Sequence, residues 1–325
     1  MNSIKLASIG LAATLTAILP VIPAQALVAR TFLSAAGSDS NNCANVVTPC
    51  RHLAAAYAAT AANGEIYVLD PANYGSVTIT GPVSIEGHGW ASIAPPSGGN
   101  AITINAGPGD AINIIGVVLD GTALAGTNGI VFNSGGSLTV RDSVIRNFAG
   151  SNTTGNGILI QPTSGTISFD ITDTIVSKNG FMGVYYLPPS GSAIANGVID
   201  RVVASTNTEG GIFIDTTSGA GSTTVAISNG TLSNNGTSGI FVSNGVGSLA
   251  VSIDNTGVTG NQSNGIAAGG TSNVRLGRSV ITGSGGFGVN NATIPNTFYS
   301  YQDNRINGNF LADVNGTALS PLTFK

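Results

Sequence analysis

Apolar residues alternate with other side chains in short segments that return at a near-constant interval along most of the chain. A glycine followed by an aliphatic residue opens each segment: Gly129 (NGIVFN), Gly157 (NGILIQ), Gly183 (MGVYYL), Gly211 (GGIFID), Gly239 (SGIFVS), Gly265 (NGIAAG) and Gly288 (FGVNNA). The spacings are 28, 26, 28, 28, 26 and 23 residues, and Ala101 in NAITIN sits another 28 residues upstream. Successive side chains of a strand face opposite sides. Positions one and three after the glycine form an inward pair in every period: Ile130/Phe132, Ile158/Ile160, Val184/Tyr186, Ile212/Ile214, Ile240/Val242 and Ile266/Ala268. Position two then faces outward and reads Val131, Leu159, Tyr185, Phe213, Phe241, Ala267; position four, on the same face, reads Asn133, Gln161, Leu187, Asp215, Ser243, Gly269.

Each period also holds a second strand (SLTV 137–140, TISF 166–169, TTVAI 223–227, LAVSI 249–253) and a third (SVIRN 143–147, TIVSKN 174–179, RVVAS 201–205, SVITG 279–283). Three short strands per period make one coil of a parallel β-helix, an all-β solenoid. Such a solenoid has two open ends of unpaired backbone. Upstream, TPCRHLAAAYAATAANG (48–64) predicts a short capping helix over 49–62. Thr48 serves as N-cap, Pro49 fits the first turn, Leu53, Ala56, Tyr57 and Ala61 share one face, and Asn63-Gly64 supplies the stop. The tail, 296–325, breaks the repeat late enough to cover the other end. The expected organisation is a leader (1–26), an N-terminal segment with disulfide and helix (27–64), the coils (65–292) and a C-terminal cap (293–325).

With PCR (49–51) leading into the helix and EIYVLDP (65–71) after it, the chain resembles the right-handed parallel β-helix proteins of the pectate-lyase-like superfamily from residue 30 to 325. The resemblance and the near-universal right-handed crossover together imply the hand of the coil. They say little about activity, because this scaffold carries lyases, hydrolases, tailspikes and adhesins. Polygalacturonase-like members resemble one another through four elements, of which NTE (207–209) and RIN (305–307) are fragments and GHG (87–89) lies several coils upstream of its place in that family. Pectate lyases resemble one another through calcium-binding acids and an Arg or Lys base, and no Arg or Lys falls at outward positions two or four. His88 accordingly reads as a turn residue.

Of 325 residues, only 8% are charged, against 46 glycines and 42% hydrophobic residues, so Ser, Thr, Asn and Gly supply the surface. A net charge of −4 with scattered cations gives no basic stripe, which argues against nucleic acid as a partner. Lys5, the apolar run Leu6–Ile22 and PAQA ending at Ala26 read as a secretory leader cleaved near Ala26, and Pro20 and Pro23 cut the run below spanning length. No later stretch is apolar enough to be an integral membrane segment. Cys43 and Cys50, seven residues apart in an exported chain, read as one local disulfide. The expected compartment is periplasmic or extracellular.

Tyr185, Phe213 and Phe241 predict an outward aromatic ladder on three successive rungs. Two readings stay open: a platform for sugar rings, with Gln161, Asp215 and Ser243 bonding hydroxyls, or a ladder covered by a loop, the tail or a second copy of the chain. Glycoside hydrolysis asks for two carboxylates about 5–9.5 Å apart, and Asp215 with Glu209 is the acid pair the frame offers. At the start of the third strand Asp142, Asp173, Asp200, Asn229, Asn255 and Arg278 align as a column, read as a turn ladder with bound calcium as the alternative. Asn147, Asn179, Asn207, Asn234 and Asn261 suggest an asparagine ladder in the next turn. No other cofactor is implied. The leading function is an exported, non-catalytic β-helix presenting an elongated surface to a polysaccharide or to an envelope or host partner. A polysaccharide lyase or glycoside hydrolase with a divergent acidic site is the alternative, and self-association through the ladder is the third reading.

Overall fold

The computed structural model describes residues 27–323 apart from 123–124, 190, 192, 220, 246 and 293–296. The expected leader lies outside the described residues. Among the described residues the chain is a parallel β-solenoid with one 7-residue helix, Leu53–Ala59. One strand of each turn enters a ten-stranded sheet running in chain order from Val77–Ile79 to Ala312–Gly316, and the remaining strands form a twenty-stranded sheet. Every inter-strand pairing is parallel and joins one coil to the next, as in Ile158↔Val184, Val184↔Ile212 and Ile212↔Ile240. Both sheets point alternate residues into one continuous core, and all six predicted inward pairs are buried there.

The opening glycines are required by close approach. A Cβ at Gly129, Gly157, Gly183 or Gly211 would meet the carbonyl oxygen of the next coil's glycine at 2.4, 2.7, 2.5 and 2.6 Å. This explains why the repeat is so regular. At the C-terminal end the strands Thr297–Ser300, Arg305–Asn307 and Ala312–Gly316 pair in register with the preceding coil, and Ser320–Pro321 pairs in turn with Thr297–Ser300, so the segment expected to cover this end is itself built of solenoid strands. Asp313 stands beside Gly288 in the glycine slot, so the glycine signature vanishes while the solenoid continues. Phe310 and Leu311, in the turn before this last strand, are exposed.

The helix is shorter than 49–62. It starts after His52, where the Asp39 carboxylate, not Thr48, accepts the Arg51 and His52 amides at 3.0 and 2.9 Å. It stops at Thr60, whose extended backbone opens the strand Thr60–Val68, because the first coil needs that strand beside Val28–Leu33 and Val83–Ile93. Ala61 therefore belongs to the sheet. Leu53 and Ala56 are buried as expected, and the Tyr57 hydroxyl accepts the Thr80 amide at 2.7 Å. The helix thus packs over the first strand of the ten-stranded sheet.

Cys43 and Cys50 form the disulfide, and both are buried. It closes an eight-residue loop tied to the first strand by Phe32 N–H to the Cys43 carbonyl and Cys50 N–H to the Phe32 carbonyl, both at 2.9 Å. For a loop this short, chain entropy assigns the bond about 2.5 kcal/mol. Converting both cysteines to serine is expected to lower stability by about that amount without changing the strand content, checked by urea unfolding and circular dichroism. Among the described residues no helix is long and apolar enough to cross a membrane.

Candidate functional site

The outer face of the ten-stranded sheet holds the predicted aromatic ladder, with its first two rings covered and Phe241 half-buried. Tyr185 and Phe213 stack with centroids 4.9 Å apart and planes 6° off parallel, and Phe213 and Phe241 follow at 4.6 Å. Yet Tyr185 is only 7% exposed and Phe213 9%, because Phe181 and Met182 from the turn before the Tyr185 strand, with Leu187, close over them and over Val131 and Leu159. The ladder is a second, smaller apolar cluster outside the main one. Burial and the neighbouring Asp215 carboxylate push the Tyr185 phenol pKa up. Phe213→Ala is expected to cost about 2–3 kcal/mol from lost burial and stacking, read as a shift in the urea midpoint, with ligand binding unchanged.

The polar strip beside the ladder is occupied with itself. Gln161 donates to Asn133 at 2.8 Å and Asn133 to Asn105 at 2.8 Å. Asp215 accepts the Thr217 amide and hydroxyl at 2.9 and 2.6 Å, and Ser243 pairs beside it on the next strand. Glu209 lies in the turn ahead of the strand Ile212–Thr216, while Asp215 is near that strand's end. The stretch Ile212–Asp215 alone spans about 10 Å at 3.3 Å per residue, so Phe213 separates the two acids.

The aspartate column needs a one-residue correction. Register pairs Asp200 with Thr172 and Ser228, so the residue that succeeds Asp173 is Arg201. The left-handed turn column is Asp142, Asp173, Arg201, Asn229, Asn255 and Arg278, with φ of 50, 50, 50, 53, 46 and 48°. Arg201 bonds both oxygens of Asp173, at 2.5 and 2.8 Å, and also reaches Asp200. The guanidinium holds Asp173 below its ordinary pKa. Asp200 is held down too, first by the Ser228 hydroxyl, which bonds it at 2.7 Å. A cationic side chain therefore sits where stacked carboxylates were expected. Among the described residues no three His, Cys, Asp or Glu side chains gather into a group that could hold a metal ion.

The asparagine ladder shifts likewise. Asn147 and Asn234 occupy a second left-handed column, at φ 62 and 55°. The buried ladder is Asn179, Asn207, Asn235 and Asn261, each carboxamide oxygen after the first accepting both the amide N–H and the Nδ2 of the asparagine one coil earlier.

The outer face of the twenty-stranded sheet carries the aromatic surface that the sequence reading passed over. Arg30 and Phe32, Glu65 and Tyr67, and Ser84 and Glu86 occupy outward positions on three adjacent strands. The third strand then bulges between Glu86 and Ala91, and the bulge lifts His88, Gly89 and Trp90 into solvent. Its geometry demands glycine on both sides: a Cβ at Gly87 would meet the Gly116 carbonyl at 2.4 Å, and one at Gly116 would meet the His88 amide nitrogen at 2.8 Å. The rings form a continuous series, Phe32 to Tyr67 at 6.2 Å, Tyr67 to His88 at 4.4 Å and His88 to Trp90 at 5.6 Å, with Trp90 46% exposed. Arg30 lies 5.6 Å over the Tyr67 ring while paired with Glu65. Burial first, then the Glu65 carboxylate and Asp142, push the Glu86 carboxyl above its ordinary range, with His88 pulling the other way.

From this cluster one outward column runs down the sheet: Tyr67, Glu86, Ile115, Arg141, Thr172, Asp200, Ser228, Asp254, Gly277. It ends at a 620 Å³ surface cavity lined by Asp254, Arg275, Arg278, Tyr301 and Asp303, where Arg275 lies 6.0 Å over the Tyr299 ring. The seven strand steps from Glu86 to Gly277 cover about 34 Å at 4.8 Å each. The signal for this surface was present in IEGHGWAS (85–92), where two glycines interrupt a strand pattern, the mark of a bulge.

No family model and no curated protein matches the chain. Three solved structures are similar to it over most of its length. The A-module of mannuronan C-5 epimerase AlgE6 from Azotobacter vinelandii is 15% identical with a TM-score of 0.46, covering 80% of this chain and 87% of that one. The AlgE4 A-module from the same organism is 13% identical with a TM-score of 0.40, covering 80% and 89%. The periplasmic alginate epimerase AlgG is 11% identical with a TM-score of 0.38, covering 80% and 75%. Identities this low leave ligand chemistry to be read from this chain's own residues.

Proposed function

We propose that this protein is an exported polysaccharide-binding β-helix whose ligand lies along the outer face of the twenty-stranded sheet, anchored on Phe32, Tyr67, His88 and Trp90. The observation that carries this reading is the ring series at the bulge, which runs from the half-buried Phe32 and Tyr67 to the exposed His88 and Trp90. Apolar ring faces left in water are costly unless something covers them, and contiguous exposed apolar surface marks contact sites. In the ladder Tyr185 and Phe213 are covered and Phe241 is half-buried, whereas Trp90 at the bulge stands exposed. Flat rings beside the acceptors of Glu65 and Glu86 suit sugar rings, whose faces are apolar and whose edges are hydroxyls. The straight column beyond them suits a polymer. Export is supported by the disulfide, a bond that persists in oxidising compartments.

A second reading is favoured by one observation, the Glu86 carboxyl pushed up beside Glu65. Glu65 and Glu86 stand on adjacent strands two residues apart in register, and two carboxyl groups so placed can divide the acid and base roles of glycoside hydrolysis; this pair, rather than Asp215 and Glu209, lies on the proposed ligand face. Trp90 is the chain's only tryptophan, so its emission reports the anchor directly. Titration with glucan and xylan oligosaccharides is expected to shift or quench that emission saturably, with no reducing sugar released. Release abolished in Glu86→Gln establishes the hydrolase; flat emission throughout removes polysaccharide from this face.

A further inference from the structure

The charges around the anchor narrow the class of polymer, an inference that rests on the polysaccharide-binding reading. Register sets Glu86 diagonal to Glu65 on the neighbouring strand and brings Asp142, which follows Arg141, two strands on, near enough for both carboxylates to act on Glu86. Arg30, the cation on the same strands, is committed to Glu65. Farther down the face the pattern repeats: Arg201 is taken by Asp173 and Asp200, and Arg278 by Asp254. Asp303 holds the Arg278 amide at 2.9 Å. Among the described residues the cations of the column that make no ion pair are Arg141, which directly precedes Asp142 two strands beyond Glu86, and Arg275 at the far cavity. His88, stacked between Tyr67 and Trp90, is the basic side chain facing Glu86. Three carboxylates, Glu65, Glu86 and Asp142, set against two guanidinium groups, Arg30 and Arg141, leave the anchor one negative charge in excess.

We infer that the polymer held on this face is an uncharged glycan: the rings stack on its sugar faces, the paired carboxylates and guanidinium groups bond its hydroxyls, and polymers with an anion on each sugar are excluded. An acidic chain laid over Trp90 and Tyr67 would bring a charge to every unit within about one Debye length, 8–10 Å, of Glu65, Glu86 and Asp142. A neutral chain meets no such field. The paired charges along the column still offer it donors and acceptors in alternation, which is how hydroxyl-rich ligands are oriented.

The test is a side-by-side titration of the full protein, read by Trp90 emission. Cello- and xylo-oligosaccharides are set against oligogalacturonate and alginate oligomers of matched length, at about 20 mM and about 500 mM salt, where screening is respectively weak and strong. Neutral oligomers are expected to bind at least tenfold more tightly at low salt, with a Kd insensitive to salt. The acidic oligomers should gain affinity as salt rises, and Glu86→Gln, checked for native circular dichroism, should narrow the gap severalfold. Acidic oligomers binding as tightly as neutral ones, or losing affinity in salt, overturn the inference and leave polysaccharide binding standing. No emission change with either class overturns both.

Discussion

Trp90→Ala is expected to weaken polysaccharide binding at least tenfold while leaving the urea midpoint almost where it was. The two halves of this result separate a ligand anchor from a packing residue. Trp90 sits at the crest of the bulge, 46% exposed, and touches the cluster through His88 at 5.6 Å. Removing a side chain this exposed changes stability by no more than about 0.5–1 kcal/mol. Binding is different, because a large aromatic at the centre of a contact site commonly contributes 2 kcal/mol or more, and tenfold is about 1.4 kcal/mol. Calorimetric titration replaces fluorescence for this variant, since it removes the only tryptophan. Tyr67→Ala should follow it in direction. An unchanged Kd in Trp90→Ala would move the ligand off the bulge.

The difference between Trp90 and Phe213 shows what the sequence made legible. The inward pairs, from Ile130/Phe132 to Ile266/Ala268, could be placed because a strand has a period of 2 and the glycine marks its phase. Outward position was equally legible for Phe213; its cover was not. Phe181 and Met182 reach the ladder from a turn one coil earlier, and only register brings them there. The aspartate and asparagine columns failed for a related reason. Coil lengths vary between turns, so a column aligned from the first strand drifts by one residue at the third, enough to put Asp200 where Arg201 stands and Asn234 where Asn235 stands. The aromatic cluster escaped notice because Phe32 and Tyr67 precede the glycine-marked series, and Trp90 reaches their face only through a bulge that breaks the alternation. Parts of the fold governed by period were readable, and parts governed by the exact length of a turn were not.

The largest loss of stability is expected from Asn207→Ala, in the middle of the buried ladder. Its carboxamide oxygen accepts two bonds from Asn179, the backbone amide at 3.1 Å and Nδ2 at 3.0 Å. Its Nδ2 donates to the Val176 carbonyl at 3.2 Å and to Asn235 Oδ1 at 3.1 Å. Alanine strips all four at once. Asn235 Oδ1 keeps the Asn207 backbone amide at 3.1 Å, so the donors of Asn179 suffer most, in a site with no exposure to water. Each buried donor left unmade costs about 1–3 kcal/mol, giving about 2–5 kcal/mol in all, near half of the stability of an ordinary domain. In a solenoid each coil is held mainly by its two neighbours, so a weak rung loosens the coils on both sides. Hydrogen exchange should therefore rise first at Asn179 and Asn235 and spread outward, while Asn234→Ala, exposed one residue away, should cost about 1 kcal/mol. A urea midpoint for Asn207→Ala within experimental reach of wild type would mean that the ladder is not what fixes this turn, and that the left-handed residues ahead of it, Lys178, Thr206 and Asn234, set its course instead.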